Sequence, residues 1–221
     1  MNNWLGLLIA YLYIFAIIGT AEALRRWRNY SSDFTRKFIH IGVGMLSWLV
    51  PFLFDSPWPF VVACLSFVII NLLDWHFGFI SSMTSTDRSN LGTVYFPLAA
   101  AVAALIFWDQ PPLMVASLMP LTWGDGFASV VGRAYGRHPY TVFGHTRTFE
   151  GSLTFFVMGG FFTWLALWMM SGTPDLSPAA AVLPTVVVML ATTLTEAVSI
   201  WGLDNLTITA VALAILNIWQ F

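Results

Sequence analysis

The stretch Thr122–Ser152, TWGDGFASVVGRAYGRHPYTVFGHTRTFEGS, leaves one apolar run and enters the next. Its first residues continue an apolar segment in which Asp125 stands between Gly124 and Gly126. A glycine- and arginine-rich polar loop follows, and Glu150-Gly151-Ser152 opens the next apolar run. That order is the order of two membrane helices joined by a loop. A carboxylate and several arginines at one bilayer face point to a phosphorylated, metal-bound substrate.

Working outward, the whole chain has the same character. Of its 221 residues, 58% are hydrophobic and 9% charged, against about 25% charged in a soluble domain. It has too little charge to cover a soluble surface. A membrane-spanning helix needs about 20 mostly apolar residues. Eight such stretches can be read: Trp4–Leu24, Phe38–Phe54, Trp58–Asp74, Leu91–Trp108, Leu113–Val131, Leu153–Met170, Ala179–Ile200 and Leu206–Gln220. The third and the last are the weakest. These predict an all-α polytopic bundle of about eight membrane helices, with seven as the alternative count, forming a single membrane domain over residues 1–221 with no soluble domain. The N-terminal run has no basic flank and no small-residue cleavage site, so it reads as a retained helix. The lone Cys64 lies in a span and excludes disulfides and cysteine metal sites.

The basic residues orient the bundle. All nine, Arg25, Arg26, Arg28, Arg36, Lys37, Arg88, Arg133, Arg137 and Arg147, fall in the loops after the first, third and fifth spans. The positive-inside rule places those loops in the cytoplasm and both termini outside. The acids Asp74, Asp87, Asp125, Glu150, Glu196 and Asp204 gather at the same face, whereas Asp55, Asp109 and Asp175 remain as ordinary outer-loop residues.

Several of these residues are equipped for chemistry. Arg36 and His40 are one helical turn apart and share a face that Gly44 continues. Cations beside an imidazole suit a phosphate and a proton transfer, although snorkelling anchors would account for Arg36 and Lys37 alone. Asp125 lies about two turns, roughly 10 Å, from the inner end of its helix. A carboxylate there costs on the order of 3 kcal/mol and needs a partner or a task. Ligation of Mg²⁺ and general-base catalysis both fit. Replacing Asp125 with Asn is expected to abolish activity and, by removing a buried charge, to leave stability unchanged or raised. The loop Gly132-Arg133-Ala134-Tyr135-Gly136-Arg137 has the composition of a phosphate cradle but lacks the Walker A ending. Glu150 suits a helix N-terminus. Glu196 is an acid inside a span, and Asp204-Asn205 suits either a helix cap or a metal or ribose contact. His76, His138 and His145 lack zinc-site spacing. Gly159-Gly160 and the small residues Ala99–Ala104 suit close helix packing. The basic residues are too few and too scattered for nucleic acid.

Taken in order, Thr35-Arg36-Lys37-Phe38-Ile39-His40-Ile41-Gly42, Gly124-Asp125-Gly126-Phe127-Ala128-Ser129 with Gly132-Arg133, Glu150-Gly151-Ser152, and Glu196 with Asp204-Asn205-Leu206 resemble the polyprenol kinase family of phytol, farnesol and dolichol kinases. The resemblance runs from about Thr35 to Thr209, and the short chain is most similar to the phytol kinase branch. One departure is that the family's Lys-Ser pair before Glu-Gly-Ser is replaced by Arg147-Thr148-Phe149. The resemblance implies phosphoryl transfer from CTP, with Mg²⁺, to an isoprenoid alcohol dissolved in the bilayer, at the cytoplasmic face. It implies that Asp125, His40 and Glu196 are catalytic and that Asp125 and Asp204 are metal ligands. Nucleotide contacts are expected from Arg36, Lys37, Gly132, Arg133, Arg137, Arg147, Glu150, Gly151, Ser152 and Asn205. A phytol kinase would serve phytol salvage toward tocopherol. With no transit peptide in view, a bacterial inner membrane, a cyanobacterial one included, is the expected home.

The nearest rival readings are a CTP-dependent diacylglycerol kinase and a phosphatidate cytidylyltransferase. A more distant one is a small ion-coupled transporter, which would place its acids near the bilayer midplane; here they sit at one face.

Overall fold

The computed structural model describes residues 2–83, 91–199 and 202–221. The segment Asp87-Arg88-Ser89-Asn90, which contributes one of the basic residues to the topology argument, lies outside the described residues. The all-α expectation holds: helices dominate, joined by short turns and one small hairpin. Among the described residues, three helices are long and apolar enough to cross a membrane, and three shorter apolar helices accompany them.

Local sequence explains most of the boundaries. Helix α1 (Asn3–Arg28) starts where the Asn2 side chain accepts the Trp4 N–H at 3.0 Å and stops at Asn29, in the left-handed region (φ 55°). Arg25, Arg26 and Arg28 stand in its last turn, beside its free carbonyls. Helix α2 (Ser32–Gly44) is capped by Ser31 and carries Asp33 in its first turn. It tightens into a 3₁₀ turn (Met45–Trp48) and then a short α3 (Val50–Leu53). The second apolar run is therefore a broken helix, stepped where Pro51 withholds an N–H. Helix α4 (Pro57–Phe77) opens on Pro57 and Pro59 and closes at Gly78, whose φ of 70° favours glycine. Helix α5 (Gly92–Phe107) buries Ala99, Ala100, Ala101, Ala103 and Ala104, and α4 packs closely along it.

The fifth apolar run is also composite. It comprises α6 (Pro111–Met119), a wide π-helical turn (Pro120–Asp125) and α7 (Gly126–Tyr135). Pro120 has no N–H for the carbonyl one turn back, and the helix widens at that point. The loop beyond α7, which the composition presents as irregular, contains strands β1 (Pro139–Val142) and β2 (His145–Thr148) paired antiparallel. Phe143 and Gly144 link them with φ of 47° and 80°, the signs a type I′ turn requires. The sequence hides this turn because a phenylalanine replaces the usual Asn or Asp. Thr148 then caps α8 (Phe149–Met169) through the Gly151 N–H. Helix α8 packs on α6, the wide turn, α7 and α9 (Val182–Val198). A Cβ on Gly159 would lie 3.2 Å from the Pro120 Cα, so the expected close packing at this glycine is present. Helix α10 (Asp204–Ile218) packs against α9 and α5.

Candidate functional site

The site is assembled where α2 meets the wide turn. Two glycines allow that meeting. A Cβ on Gly44 would lie 2.4 Å from the Thr122 side chain, and one on Gly126 would lie 2.6 Å from Ile41. Gly124 faces the other way, toward Phe155 of α8 at 3.1 Å. The glycines on either side of Asp125 thus let two different helices close on the turn that carries it.

Lys37 reaches across this contact. Its Nζ donates to Asp125 Oδ2 at 2.6 Å and to the Asp125 backbone carbonyl at 3.2 Å. Both side chains are nearly buried, at 13% and 12% exposure. One turn along α2, His40 Nε2 lies 3.6 Å from the same carboxylate oxygen and 2.8 Å from the Leu121 carbonyl. A carbonyl only accepts, so Nε2 carries the proton and Nδ1 is left as the ring's acceptor. Phe96 of α5 packs edge-on against the imidazole. The charge on Asp125 also acts on Asp204 at the start of α10, and Arg147 on β2 acts on both acids. Asp204 Oδ1 accepts the Asn205 N–H at 2.9 Å. Asn205 anchors α10 to α5 through Nδ2 and the Gly92 carbonyl at 2.6 Å, while its Oδ1 is buried with no hydrogen-bond partner among the described residues.

A second layer surrounds this centre. Arg147 forms an ion pair with Glu196 and donates through Nη2 to the Ser199 carbonyl at 2.7 Å, tying the hairpin to the end of α9. Glu196 Oε2 is buried and unpartnered among the described residues. Arg36 lies 3.6 Å from Asp33, which also pairs with Arg133 of α7. Arg137 is exposed.

The remaining residues from the sequence reading serve the hairpin. Glu150 accepts from His138 Nδ1 at 2.6 Å and from its backbone N–H at 3.3 Å. The Ser152 hydroxyl is 2.6 Å from that of Tyr140. Gly132 and Gly151 face one another where α7 crosses α8: a Cβ on Gly132 would lie 3.5 Å from the Gly151 Cα. Packing accounts for the placement of both glycines. The structure therefore gathers Arg36, Lys37, His40, Asp125, Asp204 and Asn205 on one cavity, with Arg147 and Glu196 beside it. Arg133, Arg137, Glu150, Gly151 and Ser152 lie outside that cavity's lining.

Two features escaped the sequence reading. Asn71 of α4 lines the same cavity and donates to the Thr93 carbonyl at 2.7 Å; a polar residue inside an apolar helix was its signal. Glu22 of α1 accepts from the Ser81 hydroxyl at 2.9 Å and the Ser82 N–H at 3.1 Å, fastening the segment after α4.

The residues at the centre fit a hard divalent cation. Asp125, Asp204 and the orphaned Asn205 Oδ1 are all oxygen donors. Among the described residues no group of three or more His, Cys, Asp or Glu forms a metal cage. Mg²⁺ commonly takes one or two carboxylates and completes its shell with phosphate and water.

A phytol kinase of Synechocystis sp. is 30% identical to the chain over 207 residues, covering 93% of this chain and 87% of that protein. A phytol kinase of Arabidopsis thaliana is 27% identical over 174 residues, covering 69% of the chain and 54% of the relative. A farnesol kinase of the same plant is 28% identical over 159 residues, covering 66% and 51%. No family model matches the chain, and no solved structure matches it.

Proposed function

The chain belongs to the polyprenol kinase family represented by these phytol and farnesol kinases, and we propose that it transfers the γ-phosphoryl group of CTP to an isoprenoid alcohol, phytol foremost. The observation that carries the reading is the buried Lys37–Asp125–His40 cluster on a cavity whose remaining lining is mostly apolar. An alcohol dissolved in the bilayer reaches such a cluster from the apolar side, and a nucleotide reaches it from the polar side. The cluster then sits at the cytoplasmic face, with eight spans and both termini outside.

Phosphoryl transfer depends on positioning and on neutralising charge. Asp125 and Asp204, with the Asn205 amide oxygen, would hold Mg²⁺, which when bound neutralises phosphate oxygens. Lys37 fixes the Asp125 carboxylate, and the Leu121 carbonyl fixes the His40 ring. His40 Nδ1 accepts the hydroxyl proton as the alcohol oxygen bonds to the γ-phosphorus. The bond from that phosphorus to the β-bridging oxygen breaks, giving prenyl phosphate and CDP. Arg147, paired with Glu196 beside the cavity, is the cation that would turn to the triphosphate. Arg36 lines the cavity beside Lys37 and would meet the phosphates there, whereas Arg133 and Arg137 lie outside that lining and would steer the nucleotide.

The test is to incubate purified protein with Mg²⁺ and γ-labelled CTP or ATP, against phytol, geranylgeraniol, farnesol, dolichol and diacylglycerol. Labelled prenyl phosphate with CDP is expected. Release of pyrophosphate would instead show a cytidylyltransferase, and equal use of ATP would overturn the choice of donor. A cysteine placed between Arg137 and Phe143 should resist impermeant reagents in intact cells; ready labelling would invert the topology.

A further inference from the structure

The cavity extends far beyond the charged cluster. From Arg36, Lys37 and Asp125 it runs between α1, α2, α4 and α5 to Ala10, Ser47 and Phe60. The lining spans Arg36 on α2 to Ser47 in the 3₁₀ turn that follows it, and Phe60 to Asn71 on α4, about 16 Å along each at the helical rise. Its interior volume is about 150 Å³. Spread over that length, it is a narrow tube. Ala10, Ala63 and Ala100 leave room for it where larger side chains would fill the space. Tyr11 is held sideways, its hydroxyl 2.6 Å from Ser66 Oγ and its ring stacked on Phe67 at 5.4 Å, so that it forms a wall. At the deep end stands Phe60, 7% exposed, whose ring lies 6.1 Å from that of Phe54. Charge at one end, a small volume strung along a mostly apolar lining and a buried aromatic side chain at the other end describe a holder for a single tail of limited length.

We propose that this tube binds the tail of the alcohol substrate, hydroxyl at His40 and Asp125, and that Phe60 sets the longest tail accepted. The assignment rests on the prenol kinase reading for the identity of the occupant. It excludes two-tailed lipids, for whose second tail so small a volume leaves no room, and it excludes long polyprenols, which outrun the stop. Entry of each isoprene unit buries further apolar surface, so affinity rises with length up to the stop and then falls.

Two substitutions test it from opposite directions. Ala63→Phe obstructs the tube partway along, and Phe60→Ala removes the stop. Each purified variant is assayed for retention of radiolabelled geraniol, farnesol, geranylgeraniol and a longer polyprenol without nucleotide, and separately for turnover of the same series. Hydrophobic pockets discriminate by roughly 10- to 200-fold for such changes in fit. Ala63→Phe is therefore expected to lower geranylgeraniol binding at least about tenfold relative to geraniol. Phe60→Ala is expected to shift the optimum toward the longer polyprenol. If Ala63→Phe does not fold, Phe60→Ala decides alone. A length profile unchanged from wild type in the folded variants, for binding and for turnover, overturns the tube while leaving the kinase reading intact. Length-dependent binding that the variants shift as expected, with no phosphorylation of any alcohol, refutes the kinase reading and leaves the tube standing.

Discussion

The Lys37–Asp125 pair and the Arg147–Glu196 pair are both nearly buried ion pairs, yet the fold builds them differently. The first lies between two helical segments pressed together by glycines, Lys37 from the middle of α2 and Asp125 from the junction of the wide turn with α7. The second joins a two-stranded hairpin to the last turn of α9, and its arginine is the more exposed partner at 22%. Position inside the bundle makes Lys37–Asp125 a fixed centre. Position on a hairpin makes Arg147 a group that can exchange one anionic partner for another. The difference divides the basic residues near the site by partner: Lys37 pairs with Asp125, Arg147 pairs with Glu196 beside the cavity, and Arg36 and Arg133 share Asp33.

The largest effect separating the two pairs is expected at Asp125. Asp125→Asn should lower turnover on the order of 10³-fold, comparable to removing one preorganised charge-stabilising group. The sequence alone suggested that stability would hold or rise, because one buried charge would be relieved. The Lys37 ammonium reverses that expectation: it is left buried without its counter-ion, a change that costs about 3–5 kcal/mol. A Lys37→Met, Asp125→Asn double variant should recover the stability without recovering activity. Thermal unfolding in detergent alongside turnover checks both parts; near-normal turnover in Asp125→Asn would remove it from the reaction.

Arg147 provides the next test. If it releases Glu196 to hold phosphate, Arg147→Ala should raise the apparent CTP dissociation constant roughly 10- to 150-fold, the worth of one charge-assisted contact. Apparent affinity for the alcohol should not change. If the pair is only a fastening, Glu196→Gln should reproduce the Arg147→Ala phenotype in full. Nucleotide titrations on the two variants distinguish the cases, since Glu196→Gln leaves the arginine available.

The glycine contact that creates the inner pair makes a smaller, structural prediction. Gly44→Ala places a methyl group 2.4 Å from Thr122. Overpacking of this kind typically costs about 1–3 kcal/mol, and separating α2 from the wide turn should reduce activity further. Gly19→Ala is the control, since a Cβ there meets nothing within 4 Å. Equal unfolding temperatures for the two variants would mean that the helices do not depend on this close approach.

Much of this arrangement was legible beforehand because membrane sequences separate their chemistry cleanly. Apolar runs located the helices, and Asp125 announced itself as a carboxylate in an apolar run. The partner of Asp125 was not legible, because periodicity placed Lys37 beside Arg36 without saying which of the two faces inward. The π-helical turn was hidden for a related reason: Pro120 forbids one hydrogen bond but does not choose between a kink and a wider turn. The cavity was invisible because alanines such as Ala63 and Ala100 read as helix packing whether the space beside them is filled or empty. The hairpin was missed because Phe143 occupies a turn position usually marked by Asn or Asp.

The smallest expected effect is at the rim, and it separates a phosphate contact from an orienting charge. Arg133 is half exposed and pairs with Asp33, itself a third exposed. Exposed pairs contribute about 0.2–1 kcal/mol, screened further by salt. If Arg133 only steers CTP, Arg133→Ala should change the apparent nucleotide affinity by less than about fivefold, because a kilocalorie corresponds to roughly that factor. The change should shrink as ionic strength rises, since steering acts through solvent. A direct phosphate contact instead predicts a loss of at least tenfold that persists in high salt, because the desolvated contact is screened far less. Nucleotide titration of Arg133→Ala at low and high salt, set beside Arg147→Ala, shows whether the division between mouth and rim is real. A salt-resistant loss as large as that of Arg147→Ala would merge the two groups into one clamp.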